Sequence, residues 1–242
     1  MSTSPDPQPP TANPRLRAVL FDLYDTLAYL TPSVIQEGRR ELARLAGVDP
    51  EAWAPVWRST AMERMLGSLG GMEDQIRLML RDLGADPPPE LVTRLADLEQ
   101  AAWVLGVRLY PEAEPLLREL RRRGYKLGLV SNCSCQAGQV IPQLGLPELM
   151  DSLVLSCEVG LAKPDPAIFL HASRALGVEP EQCMFVADGA SGELDAARAL
   201  GMLAVKVEQP HQSGDYGTSE YFDHRVESLA AVLDLVGSGT GG

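Results

Sequence analysis

Five short runs along the chain are almost continuously apolar: Arg17–Asp22, Tyr125–Ser131, Ser152–Ser156, Cys183–Ala187 and Leu203–Val207. Strands that read this way have both faces covered, as in a parallel sheet sandwiched between helices. The segments between them have helical spacing. Glu112–Gly124, Pro166–Gly177 and Leu194–Gly201 each end on a glycine, a common helix stop. Strands alternating with helices predict an α/β fold, a doubly wound parallel sheet with a Rossmann-like core.

One stretch breaks the alternation. From about Leu30 to Gly106 the pattern is helical only, over Arg39–Gly47, Trp53–Leu69, Glu73–Gly84 and Glu90–Gly106. An all-helical block after the first strand predicts an inserted cap domain above that strand's end. The expected organisation is a core of residues 16–29 and 107–236, a cap of residues 30–106, and tails at 1–15 and 237–242. The first tail is rich in Pro, Ser, Asp and Asn and the second in Gly, so both are expected to be disordered.

With 242 residues, 45% of them hydrophobic, the chain can bury a sizeable core. Its formal net charge of -12 argues against nucleic acid and anionic membranes as partners, yet allows a small anionic substrate in a local positive pocket. The first residues, MSTSPDPQPPTANP, have no basic region or apolar run resembling a signal peptide, and no apolar run approaches the roughly 20 residues that span a bilayer. A cytoplasmic location is expected. The four cysteines do not have the spacing of the usual Cys-x-x-Cys sites, so Cys133 and Cys135, like Cys157 and Cys183, are expected to be ordinary reduced thiols.

In open α/β sheets function gathers at the carboxyl ends of the strands. The first expected strand ends in Phe21-Asp22-Leu23-Tyr24-Asp25-Thr26-Leu27, the second in Ser131-Asn132. After the third come Lys163-Pro164, and the fourth ends in Asp188-Gly189-Ala190-Ser191-Gly192-Glu193. Each alone is as well explained by a turn or a helix cap. Together they offer a nucleophile, an oxyanion binder, a counter-charge and an acidic pair suited to a hard cation.

This series resembles the haloacid dehalogenase-like superfamily, over nearly the whole chain outside the tails. Phe21–Leu27 resembles its first motif, Ser131-Asn132 the second, Lys163-Pro164 the third, and Asp188 with Glu193 the fourth. Leu109-Tyr110-Pro111 and Gly124-Tyr125-Lys126 are similar to the subgroup with a helical cap after the first motif. The resemblance implies that Asp22 is a covalent nucleophile. It implies that Ser131 and the Asn132 amide hold phosphate oxygens, that Lys163 neutralises the reacting groups, and that Thr26 fixes the loop. It also implies a Mg²⁺ ion on Asp22, Asp188, the Tyr24 carbonyl and Glu193, the last binding directly or through water.

One position departs from the phosphatase pattern. Two residues after the nucleophile, where an Asp general acid and base is usual, stands Tyr24. A phenol with a pKa near 10 is a poor substitute, and the adjacent Asp25 is offset by one residue. Tyr there is typical of the 2-haloacid dehalogenases, which need no metal. Those enzymes, however, resemble Ser-Ser-Asn in the fourth motif, where this chain has Val186-Ala187-Asp188, and carry Tyr where this chain has Phe169. The expectation is therefore a Mg²⁺-dependent phosphatase of small metabolites. A 2-haloacid dehalogenase is the alternative, and a weakly active binding or structural protein a further one. In the cap, Trp53, Trp57, Arg58, Arg64 and Trp103 are candidates to reach a ligand, although aromatic residues at helical spacing more often form core. Oligomeric state is not legible.

Overall fold

The computed structural model describes residues 15–210 and 219–237. Apart from Arg15 and Gly237, the two expected tails lie outside the described residues.

The chain opens with β1 (Ala18–Phe21) and β2 (Ala28–Leu30), followed by the helices α1 (Pro32–Ala46), α2 (Pro50–Ser59), α3 (Ala61–Met65), α4 (Met72–Asp82) and α5 (Pro89–Gly106). It continues through β3 (Val107–Leu109), α6 (Ala113–Arg122), β4 (Lys126–Ser131), α7 (Ala137–Gln143), β5 (Ser152–Leu155), α8 (Ser156–Val159) and α9 (Pro166–Leu176). The last elements are β6 (Cys183–Ala187), α10 (Glu193–Ala199), β7 (Leu203–Val207) and β8 (His224–Val226).

Six strands form one parallel sheet in the order β5-β4-β1-β6-β7-β8. The chain moves outward from β1 through β4 to β5, then returns to the other side of β1 with β6. The strand order therefore reverses between β1 and β6, the place where such sheets open a crevice. Side chains alternate across the pleat: Val19, Phe21, Leu127, Leu129, Met184 and Val186 face one layer, with α6 and α7. Ala18, Leu20, Val130, Phe185 and Ala187 face the other, with α9 and α10. Gly128 is required in mid-strand, because a Cβ there would meet Leu20 Cδ2 at 2.6 Å.

The helical insertion has a third core of its own, built on Leu42, Trp53, Trp57, Ile76, Met79, Leu80, Val92 and Leu95. Its helices α1 and α5 pack closely at Gly38, where a Cβ would come 2.5 Å from Ala102 Cβ. The two ends of the insertion are tied by an antiparallel ladder of β2 and β3, Ala28 opposite Leu109 and Leu30 opposite Val107.

Several expectations are corrected. The helix expected over Trp53–Leu69 divides into α2 and α3 at Thr60, whose backbone (φ −104°, ψ 14°) leaves the helical region. The first cap helix begins at Pro32 rather than Arg39, with proline at the helix start where its missing N–H costs nothing. The ladder β2–β3 and the edge strand β8 were not expected; each strand is three residues long.

Candidate active site

Asp22 follows the last residue of β1, and its amide still donates to the Val186 carbonyl of β6 at 3.0 Å. The strand pairing thus places it at the reversal of strand order. The loop beyond closes at once, with Leu27 N–H and Ala28 N–H both donating to the Leu23 carbonyl (2.9 and 2.8 Å). Thr26 is fully buried, and its Oγ1 accepts from the Asp188 amide at 3.0 Å, joining the β1 loop to the β6 loop. Gln209, which the sequence did not single out, donates from Nε2 to the Thr26 carbonyl at 3.0 Å.

Asp188 directly follows β6, and Glu193 begins α10 after a turn in which Ser191 and Gly192 take positive φ (55° and 71°). Oxygens of Asp22, Asp188 and Glu193 all lie within 4.8 Å of one another. Into this group reaches Lys163, whose Nζ pairs with Asp22 Oδ1 and, at 2.5 Å, with Glu193 Oε2. Asp22, Lys163 and Glu193 are all buried.

Three carboxylates around one ammonium leave an excess of buried negative charge. Burial raises the Glu193 carboxyl to about 8 against the pull of Lys163, with Asp22 and Asp188 adding to the rise. Burial likewise raises Asp22, opposed by Lys163. Burial works against the Lys163 charge, but Asp22 and Glu193 outweigh it and hold the ammonium above its ordinary value. A divalent cation on the three carboxylates would relieve this excess, and an all-oxygen donor set suits Mg²⁺.

At the end of β4, Ser131 is fully buried and its Oγ has no hydrogen-bond partner among the described residues. A buried hydroxyl without a partner is costly unless a ligand supplies one. The Asn132 side chain holds Lys163: Nδ2 donates to the Lys163 carbonyl, and Oδ1 accepts from the Lys163 amide, both at 2.8 Å. This clasp between the second and third motifs was not foreseen, because it depends on backbone proximity across β4 and β5. The Lys163-Pro164 bond is cis.

Tyr24 is half-buried, its ring meeting that of Trp103 edge-on at 6.0 Å. Burial raises its phenol above the ordinary value, with Cys133, Asp22 and Cys157 contributing. Asp25 adopts left-handed backbone (φ 57°), and its amide donates to the Ala28 carbonyl at 2.7 Å, closing the turn. Phe169 is fully buried against Phe185, ring centroids 5.0 Å apart. The cysteines are free thiols, and Cys133 Sγ lies 3.9 Å from Cys157 Sγ, a proximity that spacing alone did not reveal.

In the insertion, Trp53 and Trp57 are core residues and Arg58 is exposed. Trp103 donates from Nε1 to Glu99 Oε1 at 3.0 Å, and Glu99 also pairs with Arg39 at 2.9 Å. Arg64 is buried on the face of Trp57, 3.7 Å from its ring centroid. Gln75 Nε2 donates to Cys135 Sγ (3.2 Å) and Gln100 Nε2 to the Gln136 carbonyl (3.0 Å), so the insertion rests on the loop after Asn132. Among the described residues no helix is long and apolar enough to cross a membrane.

The model of the haloacid dehalogenase-like hydrolases matches residues 16–201. The chain belongs to that family and is a hydrolase. It is 32% identical over 234 residues to a glyceraldehyde 3-phosphate phosphatase of Methanopyrus kandleri, covering 91% of this chain and 97% of that protein. It is also 29% identical over 235 residues to an (S)-2-haloacid dehalogenase of a Pseudomonas species, covering 93% and 97%. In fold it is similar to a 2-haloacid dehalogenase of Pseudomonas syringae, with a TM-score of 0.69 at 22% identity, covering 91% and 97%. Both activities expected from the sequence therefore occur among its relatives.

Proposed function

We propose that this protein is a Mg²⁺-dependent phosphatase of small phosphorylated metabolites, with residues 30–106 acting as a cap over the site. The observation that carries this reading is the cluster of Asp22, Asp188 and Glu193 with a single Lys163 among them. Two further acids beside the nucleophile oppose ionisation of Asp22, and a bound divalent cation would offset them.

Asp22 attacks the phosphorus of a bound monoester, the bond to the leaving oxygen breaks, and an aspartyl-phosphate forms. Lys163 balances charge on Asp22 and the phosphoryl oxygens, held in register by the Asn132 clasp on its backbone. Ser131 Oγ, which lacks a protein partner, donates to a phosphoryl oxygen. Asp22, Asp188 and Glu193, with the Tyr24 carbonyl, would hold Mg²⁺, which would supply positive charge against the phosphoryl group. Water then attacks the phosphorus of the intermediate, freeing inorganic phosphate and restoring the Asp22 carboxylate. With no carboxylic acid at position 24, the leaving oxygen takes its proton from water.

Tyr24 and the dehalogenase relative favour the second reading, an aspartyl ester formed at Asp22 with loss of halide. The two separate in one assay. Phosphate release from a panel of phosphate esters, abolished by chelation and restored by Mg²⁺, supports the phosphatase. Chloride release from 2-chloropropionate, unaffected by chelation and without phosphate release, supports the dehalogenase.

A further inference from the structure

Among the described residues two basic side chains are buried, Lys163 and Arg64, and only the first is paired with acids. Lys163 has Asp22 and Glu193, and Arg39 has Glu99. Arg64 is only 6% exposed and forms no ion pair among the described residues. Its Nη1 donates to the Trp57 carbonyl and to Thr60 Oγ1, while its buried Nε has no partner among the described residues. A buried guanidinium without an anion is costly, because neither water nor a carboxylate replaces its lost hydration. Burial, with Arg39 nearby, lowers its pKa to about 10.

The position of Arg64 points to the cleft. It lies on α3, which packs on α8 of the core, and three residues on Gly67 meets the Cys157 carbonyl, which a Cβ there would approach to 2.0 Å. The charge of Arg64 is felt by Cys135, in the loop directly after Ser131-Asn132, and by Arg39. Arg39 in turn stands 6.0 Å from the Trp103 ring, and Trp103 meets Tyr24, two residues from Asp22. Arg64 is thus at the seam between insertion and core, on the side of the reacting groups. The Trp57 face and carbonyl fix its orientation in advance, which lowers the cost of ordering it on binding.

We propose that Arg64 is a specificity-determining residue that binds a second anionic group on the leaving-group side of the substrate. The substrate class is then a small phosphate monoester bearing a carboxylate or a second phosphate. This rests on the phosphatase reading for the reacting end alone; the anion site itself stands on Arg64.

The experiment compares 2-phosphoglycolate, ethane-1,2-diol bisphosphate and 2-hydroxyethyl phosphate as substrates of the wild type, Arg64→Met and Arg64→Lys in the presence of Mg²⁺. The wild type is expected to show a KM at least about tenfold lower for an ester with a second anion than for 2-hydroxyethyl phosphate. Arg64→Met should raise that KM roughly 10- to 100-fold, the value of a charged hydrogen bond, and move the neutral ester less than about threefold. Arg64→Lys, which keeps the charge without the fork, should recover part of the loss, and it serves alone if the Met variant does not fold. Whichever of the carboxylate and phosphate esters responds more identifies the second group. A parallel rise for all three esters, or no discrimination by the wild type, overturns the proposal. If no ester is hydrolysed, the phosphatase reading fails separately. Calorimetry with 2-phosphoglycolate then decides for Arg64: binding lost in the variants sustains the anion site, and binding retained, or absent from the wild type, removes it.

Discussion

The strand ends of the sheet and the helical insertion bury charge in opposite ways. Between β1 and β6 three carboxylates surround one ammonium, and the excess is negative. In the insertion Arg39 is matched by Glu99, while Arg64 lies on Trp57 within the field of Glu99 and Glu63 but in no ion pair among the described residues, and the local excess is positive. Under the phosphatase reading proposed above, the floor at the strand ends would take a cation and the wall in the insertion an anion, and a phosphate ester bound with Mg²⁺ would bring both.

The largest expected effect falls on the floor. Asp22→Asn should lower turnover by at least about 10³-fold, because an amide cannot attack phosphorus. It should not lower the melting temperature of the metal-free protein, since it removes one charge from an over-acidic, buried group. Steady-state rates and thermal melts of the same preparation test both halves. Activity within tenfold of wild type would remove Asp22 as nucleophile, and a large loss of stability would show that the Asp22–Lys163 pair outweighs the crowding.

Lys163→Met probes the same cluster from the other side. It leaves Asp22 and Glu193 buried without a cation, a loss of about 3–5 kcal/mol. Urea unfolding should show that loss in chelator and a smaller one in millimolar Mg²⁺, because the ion then carries part of the counter-charge. Equal losses in both conditions would mean that Mg²⁺ does not bind among these carboxylates. In the insertion, Trp53→Ala should also cost about 3–5 kcal/mol, here through a cavity in an apolar core, with no dependence on Mg²⁺. The same measurement thus separates a region held by charge from one held by packing.

The difference between the regions also explains what could be read in the sequence. The five apolar runs were legible because both faces of each strand are covered, and Asp22, Lys163, Asp188 and Glu193 because the strand ends bring them to one place. Strand β8 was not legible: His224-Arg225-Val226 is an edge strand with one buried residue. Nor were β2 and β3, whose pairing depends on closing the whole insertion between them. Arg64 falls seven residues after Trp57, on the same helical face, and Arg58 about 100° away, so the burial of one and the exposure of the other follow the helical period. The Asn132 clasp and the Cys133–Cys157 contact depend on loops that meet only after the sheet has formed.

The smallest expected effect lies where the two regions touch, at Tyr24. Its ring meets Trp103 of the insertion, and burial raises its phenol, so it is a poor donor and a poorer base at neutral pH. Positioned proton transfer typically contributes about 10²–10⁴-fold to rate. A phosphatase without it should hydrolyse aryl and acyl phosphates, whose leaving groups are stable as anions, far faster than alkyl phosphates. The wild-type rate should therefore fall steeply as the leaving-group pKa rises. Tyr24→Asp introduces a carboxyl two residues from the nucleophile and should flatten that dependence, raising alkyl phosphate turnover about tenfold or more while changing aryl phosphate turnover little. The replacement also removes an edge-on aromatic contact, a loss of about 0.5–1.5 kcal/mol that loosens the insertion but leaves the fold intact. Tyr24→Ala loses the same contact without gaining an acid, so it separates the two consequences. A gain on alkyl phosphates in the Asp variant alone assigns the deficit to the missing proton donor. Equal gains in both variants assign it to the packing of Tyr24 on Trp103, and a flat wild-type series shows that another group supplies the proton.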